Sequence, residues 1–90
     1  MHRFTLGADA YTINQLRFVA EYTDELKQKV DDQLLEWDAH IIRSELSRDP
    51  EGHVCCDLTL KMQRDISLED INDFILHNRG IISAESSPVT

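Results

Sequence analysis

Between residue 14 and the C-terminus the apolar positions switch repeatedly between period two and helical spacing, and each switch marks an element. "NQLRFVAEY" (14–22) puts Leu16, Phe18, Ala20 and Tyr22 on one side and Gln15, Arg17 and Glu21 on the other, which predicts a half-buried strand. Thr23 or Asp24 then offers an N-cap, and Leu26, Val30, Leu34 and Trp37 recur at helical steps through "DELKQKVDDQLLEWDAH". One helix over 14–37 is the rival reading. The β-branched and aromatic residues of 16–22, and the cap candidate at the junction, favour strand then helix.

"HIIRSELSRDPEGHVCCDLTLKM" predicts a hairpin turning at Asp49-Pro50-Glu51-Gly52, with Pro50 preset for a type I turn and Gly52 free to become left-handed. A three-residue loop of this kind pairs Asp49 with His53, Leu46 with Cys56, Ser44 with Leu58 and Ile42 with Leu60. Ile42, Leu46, Val54, Cys56, Leu58, Leu60 and Met62 then share one face. "SLEDINDFILHNRG" predicts a helix with Ser67 and Asp70 at capping-box spacing, a buried stripe of Leu68, Ile71, Phe74 and Ile75, and a stop at Asn78 or Gly80. "IISAES" reads as a last strand. Residues 1–13, with Phe4 and Leu6 alternating before Gly7, are expected to be a linker or an extra edge strand, and residues 14–90 a single domain.

The order β-α-β-β-α-β is that of the α+β, ferredoxin-like split fold: a four-stranded antiparallel sheet with two helices on one face. Seventeen acidic residues against nine Lys and Arg give a net charge of −8, which disfavours nucleic acid and anionic lipid as partners. Nothing approaches the roughly 18 apolar residues of a membrane span, and no signal peptide opens the chain. Two cysteines are no disulfide framework. Adjacent Cα atoms lie about 3.8 Å apart, so bridging Cys55 to Cys56 would strain the backbone. Free thiols point to the cytosol as location.

Period two also separates the two thiols. Cys56 belongs with Leu58 and Leu60, whereas Cys55 shares the outer face with His53 and Asp57. A metal site is conceivable only there, from His53, Cys55 and Asp57 with Glu45 across the hairpin. Arg43, diagonal to Asp57, relieves the facing carboxylates without an ion. His2, His40 and His77 lie in no ligand constellation, and Asp31, Asp32 and Glu36 read as a solvated helix face. No nucleophile elbow or glycine-rich phosphate loop occurs. The sequence therefore predicts no enzyme, no catalytic residue, no cofactor and no native metal site.

Family patterns narrow the fold further. The third strand lacks the aromatics of RNA-recognition domains. "EYTDEL" lacks the Cys-x-x-Cys of soft-metal chaperones and the glycine-rich, arginine-bearing loop of acylphosphatases. It also departs from the Asp-x-Pro-Gly-like first loop of amino-acid-binding ACT domains. "LRFVAEYTDEL", the hairpin through "CCDLTLKM" and "SLEDINDFILHNRGIISAE" together resemble, in layout over about residues 14–87, the ACT-like cytosolic C-terminal domain of the MgtC/SapB family of bacterial membrane proteins. That resemblance implies a membrane domain upstream in the native chain, a link to growth at low magnesium, and a regulatory or interaction role. Expected partners are a second copy, through the sheet, and that membrane domain. A divalent-metal sensor built on His53, Glu45 and Asp57, and a standalone small-ligand-binding ACT-like protein, are the alternatives. On the predicted register, the helix-free face exposes Arg17, Val19, Ile41, Arg43, Cys55, Thr59 and Ile81.

Overall fold

The computed structural model describes residues 11–89; the expectations for the segment before Tyr11, His2 included, lie outside them. Strand β1 (Thr12–Ala20) leads into helix α1 (Asp24–Glu36), strands β2 (His40–Arg48) and β3 (Val54–Met62), helix α2 (Leu68–His77) and strand β4 (Ile81–Pro88). All pairings are antiparallel, in the order β2-β3-β1-β4. The predicted βαββαβ topology is therefore the observed one. β1 runs two residues earlier at each end than the alternation suggested, since Thr12 and Ile13 pair with Met62 and Lys61 while Tyr22 packs against the core from the loop.

Each helix starts where its cap lies. The Thr23 hydroxyl accepts from the Leu26 N–H at 3.1 Å. The Ser67 hydroxyl accepts from the Asp70 N–H, and the Asp70 carboxylate accepts from the Ser67 N–H, so the capping box closes with Asp in the place of Glu. α1 ends in a Schellman arrangement: Ala39 N–H donates to the Leu34 carbonyl and Asp38 N–H to that of Leu35. Asp38 takes the left-handed conformation there, at φ 54°.

Leu16, Phe18 and Ala20 from β1 meet Cys56, Leu58, Leu60 and Met62 from β3 under Leu26, Val30, Leu34 and Trp37 of α1 and Ile71 and Phe74 of α2. Phe74 is the hub, edge-on to Phe18 at 5.4 Å and tilted against Trp37 at 5.8 Å. Asn14 joins this core, 1 % exposed, its amide donating to the Arg64 carbonyl at 3.3 Å. Pairing the amide is what makes that burial tolerable.

Four expectations fail. Leu68 opens α2 from the outside, 78 % exposed, directly after the Ser67 cap, and the buried stripe begins at Ile71. Ile42 does not pair with Leu60; Ile41 does, and a bulge between Ile41 and Arg43 absorbs the extra residue. Ile81 faces the core, because a second bulge opposite Val19 and Ala20 leaves Ile82 outside in its stead. Finally, Ile42 and Leu46 are 56 % and 61 % exposed. Every residue of β2 is exposed, because the two helices cover the other three strands and stop short of this edge.

Candidate functional site

The hairpin joining β2 and β3 is closed by backbone and side-chain hydrogen bonds. The Gly52 N–H donates to the Asp49 carbonyl, Asp49 N–H donates to the His53 carbonyl at 2.9 Å, and Gly52 takes φ 90°. This is the predicted type I turn with its left-handed glycine. The Asp49 carboxylate accepts from the N–H groups of Glu51 and His53 at 3.0 and 2.8 Å. Burial acts against the ionised carboxylate, but those hydrogen bonds and the His53 ring outweigh it and hold its pKa below the usual carboxylate value. The His53 ring lies 3.4 Å from Asp49 and 3.6 Å from Glu51. His53 is thus brought together with Asp49 and Glu51, and that cluster serves to close the turn.

Glu45 and Asp57 are directly opposite across β2 and β3, as the turn geometry predicted. Two facing carboxylates repel. Each has a cation of its own: Arg43 reaches Glu45 at 2.7 Å, and Arg17 reaches Asp57 at 3.2 Å. Gln15 adds a hydrogen bond to Asp57 at 2.9 Å. His53 stands four residues from Asp57, roughly 13 Å along the strand, and does not converge with this pair. The His53, Glu45 and Asp57 set is therefore divided between the turn and a ladder of ion pairs.

These groups border a shallow groove of about 550 Å³ that crosses the sheet from Glu45 past Cys55 and Asp57 to Ser83 and Glu85. Its rim is charged and its floor includes Val19 and Cys55. The second thiol, Cys56, belongs to the core, where burial and then the neighbouring Cys55 push its pKa up to about 11. It stays protonated near neutrality and is no nucleophile. Between the helices a smaller hollow is lined by Gln33, Glu36, Trp37, Asp70, Asp73 and His77. His77 there engages the Asp73 carbonyl of its own helix at 2.9 Å, and His40 pairs with Asp38 at the α1–β2 junction. The arrangement offers recognition surface: a groove, paired charges and an open strand. The open strand escaped sequence reasoning, because Ile42 and Leu46 carry the same alternation whether or not a helix covers them.

No family model matches the chain, and no curated protein matches it in sequence. Solved structures do match in shape. The crystal structure of the ACT domain from GTP pyrophosphokinase of Chlorobium tepidum aligns with a TM-score of 0.59 at 14 % identity, over 87 % of this chain and 100 % of that one. The solution NMR structure of that ACT domain aligns with a TM-score of 0.61 at 17 % identity, over 86 % of each chain. The uncharacterized protein TM1266 from Thermotoga maritima aligns with a TM-score of 0.58 at 15 % identity, over 89 % and 99 %. The chain has the ferredoxin-like fold in its ACT-like form.

Proposed function

We propose that this domain is a non-catalytic regulatory and interaction module of the ACT-like type, acting through self-association of its sheet. The observation that carries the reading is the uncovered strand β2, exposed on both faces along its length and bearing Ile41, Ile42 and Leu46 at half exposure or more. An open strand with apolar side chains is a template for pairing, and two-fold pairing of like copies is the commonest way to close it. The ACT domains of similar shape support the regulatory part of the reading. The finer assignment, to the C-terminal domain of an MgtC/SapB-type membrane protein, is supported by the layout of residues 14–87. No helix among the described residues is long and apolar enough to cross a membrane, so any spans lie elsewhere in the native chain. Reading the gene upstream of Met1 tests that assignment: a continuous frame encoding several apolar spans supports it, and a stop codon there removes it.

Light scattering coupled to size exclusion tests self-association. Mass should rise from monomer towards dimer between about 10 and several hundred micromolar, the range in which weak, transient pairing operates. A constant monomer mass would refute it.

A further inference from the structure

We propose that the hollow between α1 and α2 binds a small hydroxylated amine: a molecule of about monosaccharide size with a protonated amino group and hydroxyls but no carboxylate. No residue of β2 lines this site, so the inference goes beyond self-association and does not rest on it.

Helical spacing builds the hollow. Gln33 has Glu36 and Trp37 three and four positions further on, and Asp73 has Asp70 three before it and His77 four after it. Each trio therefore shares one helix face. The two faces border about 330 Å³, room for one small molecule.

Charge sets the first requirement. Three carboxylates and no Lys or Arg line the hollow. Asp70 is already held, by Arg64 and by the Ser67 N–H. Glu36 and Asp73 are not held. No Lys or Arg lies within four residues of either, and neither carboxylate forms an ion pair among the described residues. Elsewhere on α1 the acids are matched, Glu25 by Lys29 and Asp31 by Lys27. The last turn of α1 has no basic residue either, so the negative end of its dipole adds to the same field. His77 contributes an acceptor: in the neutral ring Nδ1 donates to the Asp73 carbonyl at 2.9 Å, which leaves Nε2 with a free lone pair. The hollow thus attracts a cationic hydrogen-bond donor and repels a carboxylate.

Trp37 sets the second requirement. It is 9 % exposed, packed against Phe74, and its indole N–H has no acceptor among the described residues. A buried N–H needs a partner, and the opening that Trp37 borders is this hollow. The occupant must therefore offer an oxygen acceptor beside its cation, which a bare metal ion or a plain alkylamine lacks. A hydroxyl supplies it without the negative charge that the three carboxylates oppose.

Trp37 is the sole tryptophan, so its fluorescence reports on this site directly. Glucosamine, titrated into the full 90-residue chain at pH 6.5 and fixed ionic strength, should give a saturable change, with amide NMR shifts confined to residues 33–37 and 70–77. N-acetylglucosamine keeps the hydroxyls and loses the charge; cyclohexylamine keeps the charge and loses the hydroxyls. Each should bind roughly tenfold more weakly or worse. Glu36→Gln and Asp73→Asn, at exposed positions, should stay folded by circular dichroism and weaken glucosamine by a similar factor. Glu85→Gln, in the groove on the other face of the sheet, should leave binding unchanged. No saturable change with glucosamine, equal binding of either control compound, or undiminished binding by the two hollow variants would overturn the assignment.

Discussion

Cys55 and Cys56 are neighbours in the chain and opposites in environment. Cys56 lies in the core, 4 % exposed, while Cys55 is half-buried on the groove floor. Thiolates, not thiols, react with alkylating agents, and burial keeps Cys56 protonated. Iodoacetamide on the folded protein at pH 8 should therefore modify one cysteine, which peptide mass spectrometry should place at Cys55; denaturation should release the second. Backbone conformation makes a matched pair of predictions at the same scale. Asp38 holds a left-handed φ of 54°, where a side chain costs about 1 kcal/mol relative to glycine. Asp38→Gly should raise the thermal midpoint by about 4–8 °C. Gly80 has φ 94°, and a Cβ there would meet the Glu21 carbonyl oxygen at 3.2 Å, beside the Glu21 N–H to Gly80 carbonyl bond. Gly80→Ala should lower the midpoint by at least as much, as read by the same thermal melt.

Among the elements, α2 shows most directly how charge fixes a boundary. Asp70 accepts from Ser67 and from Arg64, which approaches from the β3–α2 connection. The Arg64 hydrogen bond is the largest influence on its pKa and lowers it; burial opposes, and the Ser67 bonds assist. A carboxylate whose folded pKa is depressed contributes stability above its unfolded value of about 4, and that contribution is lost as pH falls through the folded value. The stability gap between the natural chain and Asp70→Asn, followed by urea unfolding, should be full at pH 7 and shrink progressively below pH 4. Ser67→Ala should cost about 1 kcal/mol at neutral pH, the usual loss for a missing N-cap. The capping box, the hairpin turn and the Thr23 cap were all legible beforehand, because each is set within four residues of chain. Both register errors fell at Ile-Ile pairs, Ile41-Ile42 and Ile81-Ile82. With apolar residues at adjacent positions, period two gives no preference for which one faces the core, and a bulge can go undetected.

At the scale of the whole molecule, one asymmetry governs the functional reading. The helices cover β4, β1 and β3, and leave β2 bare. Had a helix reached β2, Ile42 and Leu46 would be core residues, and the site would reduce to the groove and its ion pairs. The groove itself was partly legible, since Glu45 opposite Asp57 and Cys55 on the outer face follow from turn register and alternation. That Arg17 and Gln15 complete Asp57 was not, because β1 is some forty residues from Asp57 and only the β1–β3 register brings them together.

The sequence by itself determined the element order, the turn chemistry, the caps and the face on which Cys56, Phe18 and Phe74 are buried. Those depend on interactions between residues close in the chain and on periods of two and 3.6, which a linear pattern records. Only the tertiary structure decided where the helix layer ends, which isoleucine of each pair faces the core, and that Asn14 is buried with its amide satisfied. These depend on how far one layer extends over another, a distance between parts of the chain remote in sequence, which no local pattern encodes.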